Sequence, residues 1–408
     1  MHILWVKTEL LHPIDKGGRI RTYNMLRALK RQHRVTYVTL DNGRAAPNAE
    51  SLALEYCHDV VRVPFDEAKR LSPRFWLELL ANVASPLPYA IAKYNSRALR
   101  REIERAVRER GIDVVVCDFL APSQNVPDDL PCPTVLFQHN VEAAIWKRHA
   151  DVRENPLARM YFREQWRRME RFERQECRRF DRVVAVSRAD AETIERDYGV
   201  ANVADVPTGV DTEYFRPAGR AQREMHNLVF TGSMDWLPNE DGINWFVDSV
   251  LPRIHQRLPD VTLTIVGRNP PPRIQQLAKQ DSRLRVTGSV PDVRPYIEGA
   301  AVFVVPLRVG GGTRLKIYEA LAMERPLVST TIGAEGLPLE PGQHLLIADD
   351  PDAFAGAVLS LLADPSGGIR MGQASADYIR EHFGWDAAAD AFSRIIAAPQ
   401  VAAPVAAS

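Results

Sequence analysis

Residues 304–322 read Val-Val-Pro-Leu-Arg-Val-Gly-Gly-Gly-Thr-Arg-Leu-Lys-Ile-Tyr-Glu-Ala-Leu-Ala. An apolar strand runs out at Val305, and three glycines, Gly310, Gly311 and Gly312, follow. Thr313 has the type of a helix N-cap, so a helix is expected from Arg314 onward. A loop feeding a helix N-terminus presents free backbone N–H groups and the positive end of the helix dipole, which suits a phosphate or a carboxylate. Arg314 and Lys316 add cations, and Glu319 lies where its carboxylate could accept hydrogen bonds from a ribose diol. The spacing is neither that of the dinucleotide G-x-G-x-x-G loop nor that of a Walker loop.

A second group of reactive types sits at expected strand ends in the first half. His139 follows an apolar strand at 134–137 and stands in a polar turn with Asn140 and Glu142. Strand-end placement would aim it into a ligand crevice. Asp118 closes another strand and either faces that crevice or caps the next turn. Asp15 and Lys16, beside Gly17 and Gly18, could touch an acceptor or a phosphate, or be plain turn residues. Trp236 is expected on a loop, where it could shield a ligand, and Trp245 and Phe246 in the core.

The elements that must hold these residues alternate. Strands are expected at 2–6, 34–40, 112–117, 134–137 and 182–186, with the Gly17-Gly18 loop and a helix over 19–31 after the first. Residues 205–217 carry Pro, Gly and Asp, and 218–227 are polar, which reads as an interdomain linker. A second series follows: strands at 228–233, 261–267, 284–288, 301–306 and 326–330, with a helix over 239–257 after the first. Alternation of this kind makes parallel sheets covered on both faces. The expected fold is α/β, with two tandem Rossmann-like doubly wound domains. Domain 1 takes residues 1–205, domain 2 takes 206–384, a C-terminal helix takes 385–397, and 398–408 form a loose Ala/Pro-rich tail. The cleft between two such domains is the natural ligand site.

Composition narrows the function. The 408 residues are 45% hydrophobic and balance 52 Lys and Arg against 52 Asp and Glu, which argues against a nucleic-acid-coating protein. The balance is uneven along the chain: 34 basic and 28 acidic side chains lie in 1–200, so the remainder is acidic by the same margin of six. The basic surplus gathers on helix-like stretches at 27–34, 97–110 and 159–182. These are either solvated faces with internal Glu–Arg pairs or a surface for an anionic membrane or acceptor. Four scattered cysteines without a CxxC pair fit reduced thiols in the cytoplasm. Neither a targeting segment nor a membrane span is expected.

The 304–322 stretch resembles the nucleotide-sugar site of glycosyltransferase family 4, whose members have the two-domain GT-B fold. Further segments agree in order: Gly17-Gly18, Phe137-Gln-His-Asn-Val-Glu142, Val184-Ala-Val-Ser-Arg-Ala189, Val206-Pro-Thr-Gly-Val-Asp211 with Phe215-Arg-Pro217, Gly288-Ser-Val-Pro-Asp292, Gly333-Ala-Glu-Gly336 and Phe383-Gly-Trp385. The resemblance implies a C-terminal helix that crosses back to domain 1. It also implies retaining transfer of a hexosyl group from a nucleoside-diphosphate sugar to a glycan, a lipid-linked saccharide or a small aglycone. No cofactor and no metal are expected, since no Asp-x-Asp pair sits in a suitable loop. His139, Arg314 and Lys316 are the expected catalytic residues, with His139 touching the donor sugar or steering the acceptor hydroxyl. Gly17, Gly18, Gly232, Arg268, Gly310, Gly311, Gly312, Thr313 and Glu319 are the expected donor-binding set.

The chain departs from the family pattern in three places. The first of two glutamates spaced eight apart falls at Gly311, the loop 232–240 has no cation, and Met323-Glu324-Arg325 stands where a glycine is common. The diphosphate role then falls on Arg268, Arg314 and Lys316. Two alternatives stay open: a nucleotide-sugar epimerase of the same fold, and a non-catalytic glycan-binding scaffold.

Overall fold

The computed structural model describes residues 1–14, 17–43, 48–69, 71–151, 155–201, 203–234, 236–309 and 315–398, apart from the His149 side chain. Asp15, Lys16, and residues 310–314, with the expected Gly310, Gly311, Gly312, Thr313 and Arg314 sites, lie outside the described residues, as does 399–408. The chain divides into two compact units: unit 1 holds 1–207 and 388–408, and unit 2 holds 208–387.

Unit 1 is built on the strands β1 (His2–Lys7), β2 (Arg34–Asp41), β3 (Asp59–Pro64), β4 (Val114–Asp118), β5 (Thr134–Gln138), β6 (Arg182–Ala185) and β7 (Ala204–Asp205). They form one parallel sheet in the order β3-β2-β1-β4-β5-β6-β7. Its helices are α1 (Gly17–Lys30), α2 (Ala49–Ala53), α3 (Pro73–Asn82), α4 (Tyr89–Ala92), α5 (Arg97–Arg110), α6 (Glu142–Asp151), α7 (Pro156–Arg179) and α8 (Arg188–Tyr198). The central strands β1 and β4 are buried at every position, as parallel strands with helices on both faces must be.

Unit 2 repeats the plan with β8 (Asn227–Thr231), β9 (Thr262–Val266), β10 (Leu284–Gly288), β11 (Val302–Val305), β12 (Leu327–Ser329) and β13 (Leu346–Ile347), in the order β10-β9-β8-β11-β12-β13. Its helices are α9 (Leu237–Trp245), α10 (Leu251–His255), α11 (Pro272–Gln280), α12 (Arg294–Gly299), α13 (Leu315–Ala322), α14 (Pro351–Ala363) and α15 (Pro365–His382). The last helix, α16 (Trp385–Ala397), begins in unit 2 and from Ala388 belongs to unit 1. There Phe392 packs against Trp5 and Phe137, at centroid distances of 5.7 and 5.1 Å. No described helix is long and apolar enough to cross a membrane.

In both parallel sheets the strand order reverses beside the first strand, at β1/β4 and at β8/β11. Ligands of open parallel sheets gather outside the strand carboxyl ends at such reversals.

Several expectations are corrected. Gly17 and Gly18 open helix α1 and are not part of the preceding loop. The helix expected over 239–257 starts at Leu237 and is widened by a π turn at Phe246–Val250, just ahead of Pro252, which has no N–H to donate. Strand β3 was missed because Arg62 and Pro64 interrupt its apolar pattern, which an edge strand tolerates. The polar stretch 218–227 is fastened to unit 2 and is not a loose linker. The buried Glu298 carboxylate receives the backbone N–H of Ala218, Gly219 and Arg220 at 2.8, 2.7 and 2.9 Å. Burial alone would raise its pKa, but these three donors hold it below the ordinary value.

Candidate functional site

In unit 2 the residues around the β8/β11 reversal converge. Gly232 follows β8 and Arg268 follows β9, while Lys316 stands in the first turn of α13 and Asn239 early in α9. Lys316 Nζ donates to Asn239 Oδ1 at 2.8 Å and lies 4.1 Å from the Phe230 ring centroid. The Asn239 amide nitrogen donates to the Ser233 carbonyl at 2.7 Å, and Arg268 Nε donates to Ser233 Oγ at 2.7 Å. A Cβ on Gly232 would come within 2.6 Å of Lys316 Nζ and 2.7 Å of Asn239 Nδ2. A Cβ on Gly267 would lie 1.8 Å from the Gly232 carbonyl oxygen, so the two strand ends approach this closely only because residue 267 is glycine.

Glu319 sits one turn beyond Lys316. Its carboxylate accepts no hydrogen bond among the described residues. Burial pushes its pKa up to about 7 against the opposing pull of Lys316. A half-covered acid of this kind is an acceptor waiting for donors.

Unit 1 gathers a different cluster at its own reversal, β1/β4. Asp118, fully buried at the end of β4, receives hydrogen bonds at Oδ2 from Trp5 Nε1 (3.0 Å), Lys7 Nζ (2.8 Å) and the Thr22 hydroxyl (2.7 Å). Burial alone would raise its pKa; the Lys7 ammonium outweighs that and holds it below the ordinary carboxylate range. Burial also lowers the Lys7 pKa, with Asp118 opposing. His139 Nε2 comes within 2.7 Å of Asp118 Oδ1, at an angle that leaves neither atom in a hydrogen bond, and Nδ1 is unpartnered as well. Burial pushes the His139 pKa down to about 3, so the imidazole is neutral.

His139, expected to aim into a ligand crevice, is only 2% exposed. Phe119 covers it, stacked at a centroid distance of 3.8 Å, with Lys7 Nζ 4.1 Å from the Phe119 centroid. Phe119 holds a left-handed backbone (φ +73°), a strained setting for an aromatic residue. A Cβ on Gly18 would lie 2.8 Å from the Phe119 ring, which explains a glycine there; nothing lies within 4 Å of a Cβ at Gly17.

Beside β5, the buried Glu173 carboxylate binds the N-terminal amides of α6, at Glu142 and Ala143, together with Gln138 Nε2 and the Tyr198 hydroxyl. Burial pushes both Glu142 and Glu173 up to about 7. Of the expected residues, Gly232, Arg268, Lys316 and Glu319 lie at one strand reversal of unit 2, and Gly18 and His139 at that of unit 1. Trp236 is exposed just before α9, Phe246 is core, and Trp245 packs partly buried against it. Sequence reasoning missed Asn239, Ser233 and Gly267 in unit 2, and Lys7, Thr22 and Phe119 in unit 1. Lys7 alone carried a signal, a charge ending a central strand that is apolar from Ile3 to Val6.

Two family models match the chain: Glycosyltransferase Family 4 over residues 16–214, and Glycosyl transferases group 1 over 225–364. The chain belongs to glycosyltransferase family 4. An uncharacterised 44.6 kDa protein of the cps region of Klebsiella pneumoniae is 27% identical over 164 residues, 38% of this chain and 42% of that protein. The phosphatidyl-myo-inositol mannosyltransferase of Mycobacterium tuberculosis is 29% identical over 166 residues, 39% of this chain and 43% of the enzyme. The match thus spans about two-fifths of the length of these curated relatives. The Anabaena protein HepE, crystallised with UDP, has the same fold, with a TM-score of 0.64 at 12% identity over 97% of this chain and 99% of HepE. Family 4 membership accounts for the doubled Rossmann-like plan, the two-domain GT-B fold.

Proposed function

We propose that this family 4 protein transfers a hexosyl group from a nucleoside-diphosphate sugar to a glycan, a lipid-linked saccharide or a small aglycone, retaining the anomeric configuration and using no metal. The observation that carries the reading is the convergence of Lys316, Arg268 and the unpartnered Glu319 on the strand reversal of unit 2, with Gly232 leaving room. A leaving diphosphate develops negative charge as the sugar bond breaks, and fixed cations with backbone N–H groups stabilise that charge without reorganising. Lys316 and Arg268 fill this role together with Arg314 and the 310–313 amides, and Glu319 accepts the ribose hydroxyls. The loop 232–240 contributes no cation, yet its Asn239 holds the Lys316 ammonium.

In this reading the acceptor hydroxyl attacks from the face the diphosphate leaves, and a phosphate oxygen takes its proton. No protein nucleophile is needed. His139 is neutral, Asp118 stands against its Nε2, and its Nδ1 has no hydrogen-bond partner, so that nitrogen can bond a sugar hydroxyl once the Phe119 ring swings aside. The UDP bound by HepE and the mannosyl transfer named for the mycobacterial relative support a nucleotide-sugar donor and a glycan or lipid acceptor. We place the reaction in the cytoplasm, where the four unbridged cysteines stay reduced, with peripheral contact at the membrane.

The test is incubation with UDP-, GDP- and ADP-sugars, with and without acceptor glycans. Release of the free nucleoside diphosphate, stimulated by acceptor and unaffected by a chelator, is expected. Interconversion of the sugar without nucleotide release would mark an epimerase, and the absence of any nucleotide binding would mark a scaffold.

A further inference from the structure

Helix α3 has the sequence Pro-Arg-Phe-Trp-Leu-Glu-Leu-Leu-Ala-Asn, apolar on nearly every side, yet only Asn82 is buried. A helix apolar all round normally lies in a core. Here Trp76, Leu77, Leu80 and the following Val83 are 57–70% exposed. The helix does not settle inward because its inner residues, Phe75, Glu78 and Asn82, roof a cavity of about 640 Å³ floored by Phe65, Tyr89 and Lys93.

The start of α7 continues this surface. Arg168 donates to the carbonyls of Asn82 (2.7 Å) and Val83 (3.0 Å), tying α7 to the end of α3. Two turns earlier Tyr161 and Met160, and three turns earlier Leu157, are exposed as well. With Leu71, eight of the seventeen large apolar residues exposed among the described residues come from these two neighbouring segments. That concentration marks an interaction surface and sets it apart from scattered surface apolars.

The charge beside it has one sign. Arg163, Arg167 and Arg171 recur every fourth residue along α7, all exposed, and no carboxylate pairs with them among the described residues. The acids between them are engaged, Glu164 with Arg168 and Glu170 with Arg174. Apolar side chains flanked by an unpaired row of arginines match the boundary of an anionic bilayer, where the apolar part enters the acyl region and the cations meet headgroup phosphates.

We propose that the outer face of α3, with the first turns of α7, is where this protein rests on an anionic lipid bilayer, presenting unit 1 to a lipid-linked acceptor. The docking stands on its own observations; the acceptor class rests on the transferase reading. The experiment floats the full chain with vesicles of phosphatidylcholine alone or mixed with phosphatidylglycerol. Flotation is expected with the anionic vesicles only, weakened by 0.5 M salt. L77E/L80E should lower the floated fraction at least tenfold, and R163E/R167E/R171E should remove the preference for anionic lipid. Brominated lipid should quench a fluorescence component that W76F lacks. The proposal is overturned if the wild-type chain does not float, if L77E/L80E floats equally well, or if sedimentation shows a dimer that L77E/L80E dissolves, since a second copy would then cover the face. Turnover of the donor with a soluble acceptor should survive in L77E/L80E with an unchanged melting temperature. Absence of turnover in the wild-type chain as well would count against the transferase reading and leave docking untouched.

Discussion

Replacing Asn239 with Ala removes two hydrogen bonds at one stroke. Lys316 Nζ loses the acceptor 2.8 Å away, and the Ser233 carbonyl loses its donor at 2.7 Å. Asn239 is 3% exposed, so water does not readily replace it. A hydrogen bond to a charged group is worth about 1.5–3 kcal/mol. If that energy holds Lys316 where the diphosphate leaves, its loss lowers kcat/KM for the donor roughly 10–100-fold, at about 1.4 kcal/mol per decade. Asn239→Asp loses the same donor to the Ser233 carbonyl but sets a carboxylate beside the Lys316 ammonium. It should lower the melting temperature at least as much as Asn239→Ala does, and because the carboxylate competes with the diphosphate for Lys316, donor affinity should fall as well. The assay follows nucleoside-diphosphate release against donor concentration, beside a thermal melt of each variant. If Asn239→Ala keeps kcat/KM within about twofold of the parent, a span far below the worth of such a bond, Lys316 does not depend on Asn239. A variant that loses only stability refutes the same argument.

Lys316→Ala should weaken donor binding and abolish turnover, measured by nucleotide titration and product release. Gly232→Ala sets a methyl 2.6 Å from Lys316 Nζ and should mimic that loss in part, whereas Gly18→Ala, pressing 2.8 Å into the Phe119 ring, should move the Phe119–His139 stack and change acceptor kinetics more than donor affinity. The Glu319 carboxyl, pushed up to about 7, is protonated in much of the folded protein at pH 6 and then loses acceptor capacity. Donor affinity should therefore rise with pH through 7, and Glu319→Gln should flatten that profile. Glu142, Glu173 and Glu319 also bear on stability. Between the unfolded carboxyl value near ~4.3 and about 7, the folded chain keeps protons that the unfolded chain has released. Resistance to urea should accordingly decline as pH rises across that window, and Glu173→Gln should lessen the slope.

Much of the architecture was legible in the chain because parallel strands buried on both faces must be short apolar runs between helices. The runs at β1, β4, β8 and β11 announce themselves that way. Edge strands carry no such obligation, so β3, with Arg62 and Pro64, was invisible. Arg314 and Lys316 could be singled out as candidate donor cations because glycine runs with Arg and Lys at a helix start have few other uses. Their partners could not. Asn239 lies 77 residues from Lys316 and Thr22 lies 96 from Asp118, and nothing local ties either pair.

By itself, then, the order of residues settled which strands are central and which side chains carry charge. Tertiary structure decided what those charges face. It buried Lys7 and Asp118 together and left the His139 imidazole neutral beneath Phe119. It also left the apolar side chains of α3 in solvent. The reason is physical: burial and long-range pairing set pKa and accessibility, and both depend on neighbours that meet only after the chain has closed.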